Sequence, residues 1–285
     1  MGLSKIKEYG NMVMFSHSIF SLPFGLLSMI FAYGGIPPIR MFVLILVALL
    51  AARNGANAFN RIADKDIDKK NPRTKDRHLP TGKIKNWEAY AIVILCFLIF
   101  AVAAYMLNVV CLILSPLAIA IFVFYSYSKR ITWLCHYVLG AACGGAPVGA
   151  WLAVTGGISL VPLIMAASVC FWIAGFDIIY GTQDIEFDRA EKLYSIPARF
   201  GLKNALLIST VSHIMSVIML CSLPFFVKEL GIIYYIGIGC ISILLFIEHY
   251  NVSPENTKKM KFISYSINQV ISILFLIFTL ADYFM

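Results

Sequence analysis

Charged residues are scarce in this chain. Only 13% of its 285 residues are Asp, Glu, Lys or Arg, whereas ordinary soluble domains contain about a quarter. The deficit excludes a typical soluble globular domain, and a hydrophobic content of 60% places the chain in the membrane class. Because no polar stretch is long enough to fold separately, we expect residues 1–285 to form a single domain.

Two further signatures are missing. The seven cysteines stand singly in apolar segments without a CxxC pair, and the five histidines show no metal-ligand spacing. We therefore interpret the cysteines as small apolar residues of a helical bundle. The first ten residues resemble neither a transit peptide nor a cleavable signal, which favours direct insertion into a bacterial inner membrane.

Long apolar runs fill most of the chain. A helix needs about 20 apolar residues to cross the hydrocarbon layer of a membrane. Such segments occupy 11–33, 40–60, 87–106, 109–128, 133–154, 159–181, 204–227, 230–249 and 262–283. The sequence therefore predicts an all-α, polytopic membrane bundle of about nine transmembrane helices, embedded in a lipid bilayer.

The basic residues fall on alternate connections between these segments. Of the 23 Lys and Arg residues, 20 lie before the first segment or on the even-numbered connections. The positive-inside rule then predicts a cytoplasmic N-terminus and an external C-terminus. Membrane orientation thus explains the net charge of +8, and we expect no nucleic-acid partner.

A polar stripe interrupts the end of the second apolar segment. Its members follow the 3.6-residue helical period and are Arg53, Asn57, Asn60, Asp64 and Asp68. They share one face if the helix continues to about Lys70, after which Pro72 begins a loop. Asp66 is out of phase, so we expect it to point elsewhere.

A second stripe ends the sixth apolar segment. Its members are Asp177, Tyr180 or Gly181, Asp184 and Asp188, with Glu186 out of phase. Asp64 and Asp184 lie 120 residues apart, and both stripes are expected at cytoplasmic helix ends. The spacing predicts two pseudo-repeated four-helix halves plus one helix, with cytoplasmic cap loops.

The stripes suggest metal–diphosphate chemistry. Carboxylates gathered at one site repel each other and cannot all stay ionised without a neutralising cation. Hard oxygen ligands suit Mg²⁺, which binds through a few carboxylates together with substrate phosphate oxygens. Basic residues on the same expected side, which would neutralise the remaining phosphate charge, are Lys129, Arg130, Arg73 and Arg77.

These motifs resemble those of the UbiA superfamily of intramembrane aromatic prenyltransferases, and the resemblance covers nearly the whole chain. The NxxxDxxxD motif appears as "NRIADKDID" and the DxxYxxxDxxxD motif as "DIIYGTQDIEFD". The segments "YSYSKRIT", "RHLPTG" and "SIPARFG" are also similar to family segments. One departure is Arg61, where many members carry Asp.

The resemblance implies a mechanism. A polyprenyl diphosphate ionises with Mg²⁺ bound by Asn60, Asp64, Asp68, Asp184 and Asp188. Lys129, with Arg130, Arg73 or Arg77, would stabilise the departing pyrophosphate, and an aromatic ring would then attack the allylic cation. Asp177 is the candidate base, although it can instead position the acceptor, and Tyr180 can face the cation with its ring.

The resemblance also bears on the acceptor. Arg53 matches the position at which hydroxybenzoate-using members carry Arg, and Asn57 lies on the same stripe. A guanidinium there would pair with a carboxylate, which favours 4-hydroxybenzoate in ubiquinone biosynthesis. A dihydroxynaphthoate, for menaquinone, is the alternative acceptor. The alternative interpretation of Arg53 is a buried partner for Asp177 or for a helix carbonyl.

Two rival functions remain. An ion-coupled transporter would use the acidic residues as a cation or proton relay, but these carboxylates lie beside basic loops, as suits a phosphorylated substrate. A CDP-alcohol phosphotransferase is also Asp-rich, yet its Asp-Gly and Ala-Arg signature is missing here. The sequence therefore favours a polyprenyltransferase.

Overall fold

The computed structural model describes residues 3–14, 18–252 and 257–285. These residues form twelve α-helices and no strand. The helices are α1 Leu3–Met12, α2 Ser18–Tyr33, α3 Ile39–Ala63, α4 Lys65–Lys70, α5 Asn86–Leu107, α6 Val109–Ser128, α7 Cys135–Thr155, α8 Leu160–Gly181, α9 Ile185–Ala190, α10 Ile196–Ser222, α11 Ile232–Asn251 and α12 Thr257–Phe284. The predicted all-α class is confirmed.

Eight segments of the described chain are helical, long and apolar enough to cross a membrane. They correspond to the second to ninth predicted segments. The first predicted segment, 11–33, instead covers the end of α1 and the shorter apolar helix α2, with 15–17 outside the described residues. The membrane-bundle prediction holds, while the count of nine and the four-helix repeat stay predictions.

The chain divides into two compact units; that residues 1–285 form a single domain stays a prediction. The first unit comprises 1–18 and 38–127. Within it α3 packs against α5, and a side chain on Gly55 would come within 2.7 Å of the Phe97 ring. The N-terminal helix α1 is connected to the rest of this unit through Glu88 of α5. The Glu88 carboxylate accepts a hydrogen bond from the Tyr9 hydroxyl at 3.1 Å and forms an ion pair with Lys5 at 2.6 Å.

The second unit comprises 19–37 and 128–285. Its helix α8 packs against both α7 and α10, and α11 pairs with α12. Gly140 and Gly144 let α7 approach α8, because a Cβ on Gly144 would lie 2.7 Å from the carbonyl oxygen of Ala166. A Cβ on Gly140 would collide with the carbonyl of Cys170. This small-xxx-small spacing is typical of membrane helix packing.

A buried polar chain links three helices of the second unit. The Trp172 indole donates to Asn268 at 2.6 Å, and the Asn268 amide donates to Glu248 at 2.9 Å. Trp172 also belongs to an aromatic core with Phe24 of α2 and Phe275 of α12. Buried polar groups need such partners, so these bonds fix the contacts among α8, α11 and α12.

Candidate active site

The first acidic patch, which we define as Asn60, Asp64 and Asp68, lies where α3 passes into α4. The predicted continuous helix to Lys70 is interrupted at Asp64, whose φ of −93° and ψ of 2° leave the helical region. The helical hydrogen bonds nevertheless continue, from the Asp64 amide to Asn60 at 2.9 Å and from the Asp68 amide to Asp64 at 2.7 Å. The Asn60 side chain donates to the Asp64 carboxylate at 3.1 Å.

The following loop folds back onto Asp68. Arg77 donates to both Asp68 carboxylate oxygens, at 2.7 and 2.8 Å, and the Thr74 hydroxyl donates to the Asp68 carbonyl at 3.3 Å. The backbone amide of Arg73 donates to the Asn71 side chain at 2.9 Å. Asp68 is 5% exposed, so Arg77 compensates a buried carboxylate.

The second acidic patch, Asp184 and Asp188, has a similar backbone. A short 3₁₀ turn over Thr182–Asp184 separates α8 from α9, and Asp184 has a φ of −106° and a ψ of 9°. Both carboxylates are buried, at 5% and 1% exposure. The two residues predicted to be out of phase, Asp66 and Glu186, are exposed.

Asp188 is held by groups from two other segments. Lys129 donates to its two oxygens at 3.2 and 3.1 Å, and the Ser195 hydroxyl donates at 2.8 Å. The Lys129 carbonyl also accepts from the Tyr194 amide at 2.7 Å. Burial alone lowers the pKa of Lys129, but the charges of Asp188 and Asp184 outweigh it and raise that pKa above the ordinary value. Lys129 is therefore cationic at neutral pH.

Asp177 lies on α8, two turns before Asp184, and contacts a histidine. Its carboxylate is 2.7 Å from Nδ1 of His136 in the first turn of α7. The Asp177 side chain is 29% exposed, whereas that of His136 is 2% exposed. The carboxylate is thus accessible while the ring behind it is not.

The remaining predicted site residues are divided between the two units. Tyr180 is half-buried one turn after Asp177, and Arg130 is exposed after Lys129. Arg53 is half-buried in α3, and the Asn57 amide donates to the Val13 carbonyl at 2.7 Å. Arg61, the departure from the family motif, donates to the Met12 carbonyl at 3.4 Å and so contacts the N-terminal segment.

The donor atoms fit a hard divalent cation. The two patches offer carboxylate and amide oxygens, which are the groups that Mg²⁺ prefers. Over the described ranges, no three acidic, His or Cys side chains form a ready metal-binding group. Asp68 and Asp188 are instead engaged with Arg77 and Lys129, the cations that a bound diphosphate would also attract.

Two residues that contact the predicted aspartates, Ser195 and His136, were not predicted from the sequence. Ser195 caps the N-terminus of α10 by accepting from the Ala198 amide at 3.2 Å, and the Ser before Ile-Pro was a readable capping signal. His136 had no comparable signal, because nothing in the sequence connects it with Asp177, 41 residues away.

The model of the UbiA prenyltransferase family matches residues 21–270. A 4-hydroxybenzoate octaprenyltransferase of Marinobacter nauticus is 28% identical over 229 residues, which are 80% of this chain and 76% of the relative. A protoheme IX farnesyltransferase of Korarchaeum cryptofilum is 28% identical over 216 residues, covering 74% and 73%.

Two solved structures share the fold. A UbiA homolog from Aeropyrum pernix K1 superposes with a TM-score of 0.84 at 32% identity, covering 94% of this chain and 98% of that one. A UbiA homolog from Archaeoglobus fulgidus, bound to GPP and Mg²⁺, has a TM-score of 0.66 at 22% identity and covers 98% and 100%. The second likeness shows the fold alone.

Proposed function

This chain belongs to the UbiA prenyltransferase family, and from that premise we propose that it transfers a polyprenyl group from a polyprenyl diphosphate to 4-hydroxybenzoate. Because the family is one of prenyltransferases, the chain is an enzyme, and the alternative function as an ion-coupled transporter is not supported. The positive-inside pattern supports an active site on the cytoplasmic side of a bacterial inner membrane. The acceptor, the metal and the roles of individual residues are parts of the proposal.

One observation carries the proposal. In each acidic patch the last aspartate is buried and bonded to a cationic side chain, Asp68 to Arg77 and Asp188 to Lys129. Oxygen ligands beside fixed cations are what a metal-bound diphosphate requires. The Archaeoglobus homolog, which shares the fold, is bound to Mg²⁺, and we propose the same ion for this chain.

Each acidic patch would hold Mg²⁺. Asn60, Asp64 and Asp68 of the first patch and Asp184 and Asp188 of the second are the proposed Mg²⁺ ligands. When bound, Mg²⁺ supplies positive charge that neutralises the diphosphate and orients it for departure. Asp68 and Asp188 would contribute carboxylate oxygens to the metal while they continue to hold Arg77 and Lys129 beside it.

The basic residues would stabilise the leaving pyrophosphate. Lys129 and Arg77 are fixed by buried carboxylates, so their charges stay in place as the carbon–oxygen bond of the allylic diphosphate breaks. Arg73 and Arg130 would add further donors. The ring of Tyr180 would face the allylic cation through its π-system.

The acceptor ring then attacks the cation. A carbon–carbon bond forms ortho to the hydroxyl, and the proton on that ring carbon passes to Asp177, which restores aromaticity. Arg53 would pair with the acceptor carboxylate, and Asn57 would line the same helix face. The name of the Marinobacter relative supports 4-hydroxybenzoate as the acceptor.

The decisive assay uses membranes that contain the protein, with a labelled prenyl diphosphate and Mg²⁺. Separate reactions receive 4-hydroxybenzoate, a dihydroxynaphthoate or protohaem, since a protoheme farnesyltransferase is also among the relatives. We expect labelled product with 4-hydroxybenzoate. Product only with the naphthoate or haem would reassign the acceptor, and no product with any aromatic acceptor would remove the proposed function.

A further inference from the structure

We propose that His136 is a positioning residue for the proton-transfer step. It holds the Asp177 carboxylate in the orientation in which that carboxylate takes the ring proton of the acceptor. The inference rests on the proposed function and deepens it, because His136 lies outside the acidic patches and the basic residues to which the proposed function assigns roles.

The first argument is geometric. His136 and Asp177 belong to neighbouring helices of one compact unit, α7 and α8, and their side chains meet at 2.7 Å. The histidine side chain is 2% exposed and the carboxylate 29% exposed. Only Asp177 can therefore reach an acceptor, and His136 can act only through it.

The second argument concerns the proton of the imidazole. Nε2 of His136 is buried and has no hydrogen-bond partner among the described residues. Burying an N–H donor without an acceptor is costly, so we assign the proton of the neutral ring to Nδ1. Nδ1–H then donates to the Asp177 carboxylate and fixes its orientation, which leaves its other oxygen to take the ring proton.

The third argument is that the ring cannot turn away. A Cβ built on Gly181 would lie 3.1 Å from Cε1 of His136 and 3.6 Å from the Pro197 ring. Gly181 follows Asp177 by one turn on α8, so the same helix that carries the carboxylate also confines its partner. Close packing therefore limits the movement of the imidazole, which is the donor end of the hydrogen bond.

The reaction step balances without any further reagent. The diphosphate leaves with the electron pair of its carbon–oxygen bond, and the ring supplies the pair for the new carbon–carbon bond. The carbon–hydrogen electron pair returns to the ring as the proton passes to Asp177. His136 keeps its own proton on Nδ1 throughout.

The test compares His136→Ala with His136→Asn, whose amide nitrogen can replace Nδ1 as the donor. The acceptor is 4-hydroxybenzoate, either unlabelled or deuterated at both ring positions ortho to the hydroxyl. A positioned base contributes about 100-fold or more to a rate, and losing its orientation should cost part of that. We expect His136→Ala to lower kcat about 10- to 100-fold and leave the KM for prenyl diphosphate unchanged.

The isotope effect separates positioning from mere structure. If proton removal becomes slower, the ratio of the rates with unlabelled and deuterated acceptor should be larger in His136→Ala than in the wild type. His136→Asn should recover most of the rate. Gly181→Ala, which pushes against the ring while keeping both partners, should show the same isotope effect. It also provides a result if His136→Ala does not fold.

His213 provides the matched control. It is another buried histidine of the second unit, with Nδ1 2.8 Å from His249 and Nε2 without a partner among the described residues. We expect His213→Asn to lower thermal stability without creating an isotope effect.

Several outcomes would overturn the inference. They are wild-type kcat in His136→Ala, a loss of kcat without any isotope effect in both His136→Ala and Gly181→Ala, or an equal isotope effect in the His213 control. If the wild type forms no product with any aromatic acceptor, the proposed function fails and the inference fails with it. An active wild type with an unaffected His136→Ala removes only the inference.

Discussion

The two acidic patches share a backbone design but are held in different ways. In both, the helix is interrupted at the first aspartate, Asp64 or Asp184, with closely similar φ and ψ angles. In the first patch the cation that pairs with Asp68 is Arg77, which lies nine residues downstream in the loop after α4. In the second patch Lys129 lies 59 residues upstream of its aspartate, and Ser195 supplies a further donor.

The difference is that the cation of the first patch is close to its aspartate in the sequence, whereas the cation of the second comes from a distant segment. The first patch can form as soon as α4 and its loop fold, because Arg77 and Thr74 both lie within nine residues of Asp68. In the second, Ser195 is equally local, seven residues from Asp188, but the cation comes from Lys129, 59 residues away, so that segment must be in place beforehand. We therefore expect equal chemical importance but unequal sensitivity of the two patches to changes elsewhere.

The largest expected effect tests whether the patches are chemically equal. Asp64→Ala and Asp184→Ala should each lower kcat by at least about 100-fold, because even changes one shell removed from a metal typically cost 10- to 100-fold. Prenyl transfer in membranes at saturating Mg²⁺ measures this. Asp66→Ala and Glu186→Ala are controls on exposed neighbours. Full activity in either aspartate variant would mean that its patch binds no catalytic metal.

The second prediction compares the two cations. Lys129→Met and Arg77→Met should each reduce kcat/KM for the prenyl diphosphate about 10- to 100-fold, the equivalent of the roughly 1.5–3 kcal/mol of a charged hydrogen bond. The Lys129 variant should also lower thermal stability more, since Asp188, at 1% exposure, is the more deeply buried carboxylate. Equal decreases in Tm for the two variants would show that the deeper burial of Asp188 does not make its cation more important for stability.

The third prediction concerns a residue that only the first stripe carries. By the 120-residue spacing Arg53 corresponds to Ile173, a buried apolar residue. Arg53→Ala should raise the KM for the aromatic acceptor about tenfold, the equivalent of about 1.4 kcal/mol, with the KM for prenyl diphosphate unchanged. Arg40→Ala, on an exposed basic residue at the start of α3, is the control. An unchanged acceptor KM in Arg53→Ala would remove the carboxylate role.

The contrast between contacts that are close in sequence and contacts that are distant also explains which features could be predicted from the sequence. Periodicity predicted the helices well where apolar runs are uninterrupted, as at 109–128, which the structure gives as Val109–Ser128. It predicted the seventh segment from 204, whereas α10 begins at Ile196; the backbone of Gly201, with a φ of 76° and a ψ of 170°, is non-helical and separates the first residues of α10 from the rest. The helix boundary there depends on the Ser195 cap, which a hydropathy pattern does not register.

Within the site, the four-residue spacing of the aspartates was readable because it is a property of one helix. The break at Asp64 was not, since the helical hydrogen bonds continue through it. The pairing of Lys129 with Asp188 and of His136 with Asp177 depends on which helices pack together. Without an observed packing arrangement, those contacts have no local signature.

The smallest effect on turnover is expected from Ser195, where a single hydroxyl links the second patch to a helix cap. Ser195→Ala removes the α10 cap, which costs about 1 kcal/mol, and a hydrogen bond to the Asp188 carboxylate, which adds about 1.5–3 kcal/mol. Thr74→Ala in the first patch removes only a long 3.3 Å bond to a backbone carbonyl. Thermal unfolding in detergent should therefore show a clearly lower Tm for Ser195→Ala than for Thr74→Ala, while both retain most of their kcat because Lys129 and Arg77 remain. Equal Tm values would show that the Ser195 hydroxyl contributes no more to the stability of its patch than the Thr74 hydroxyl does.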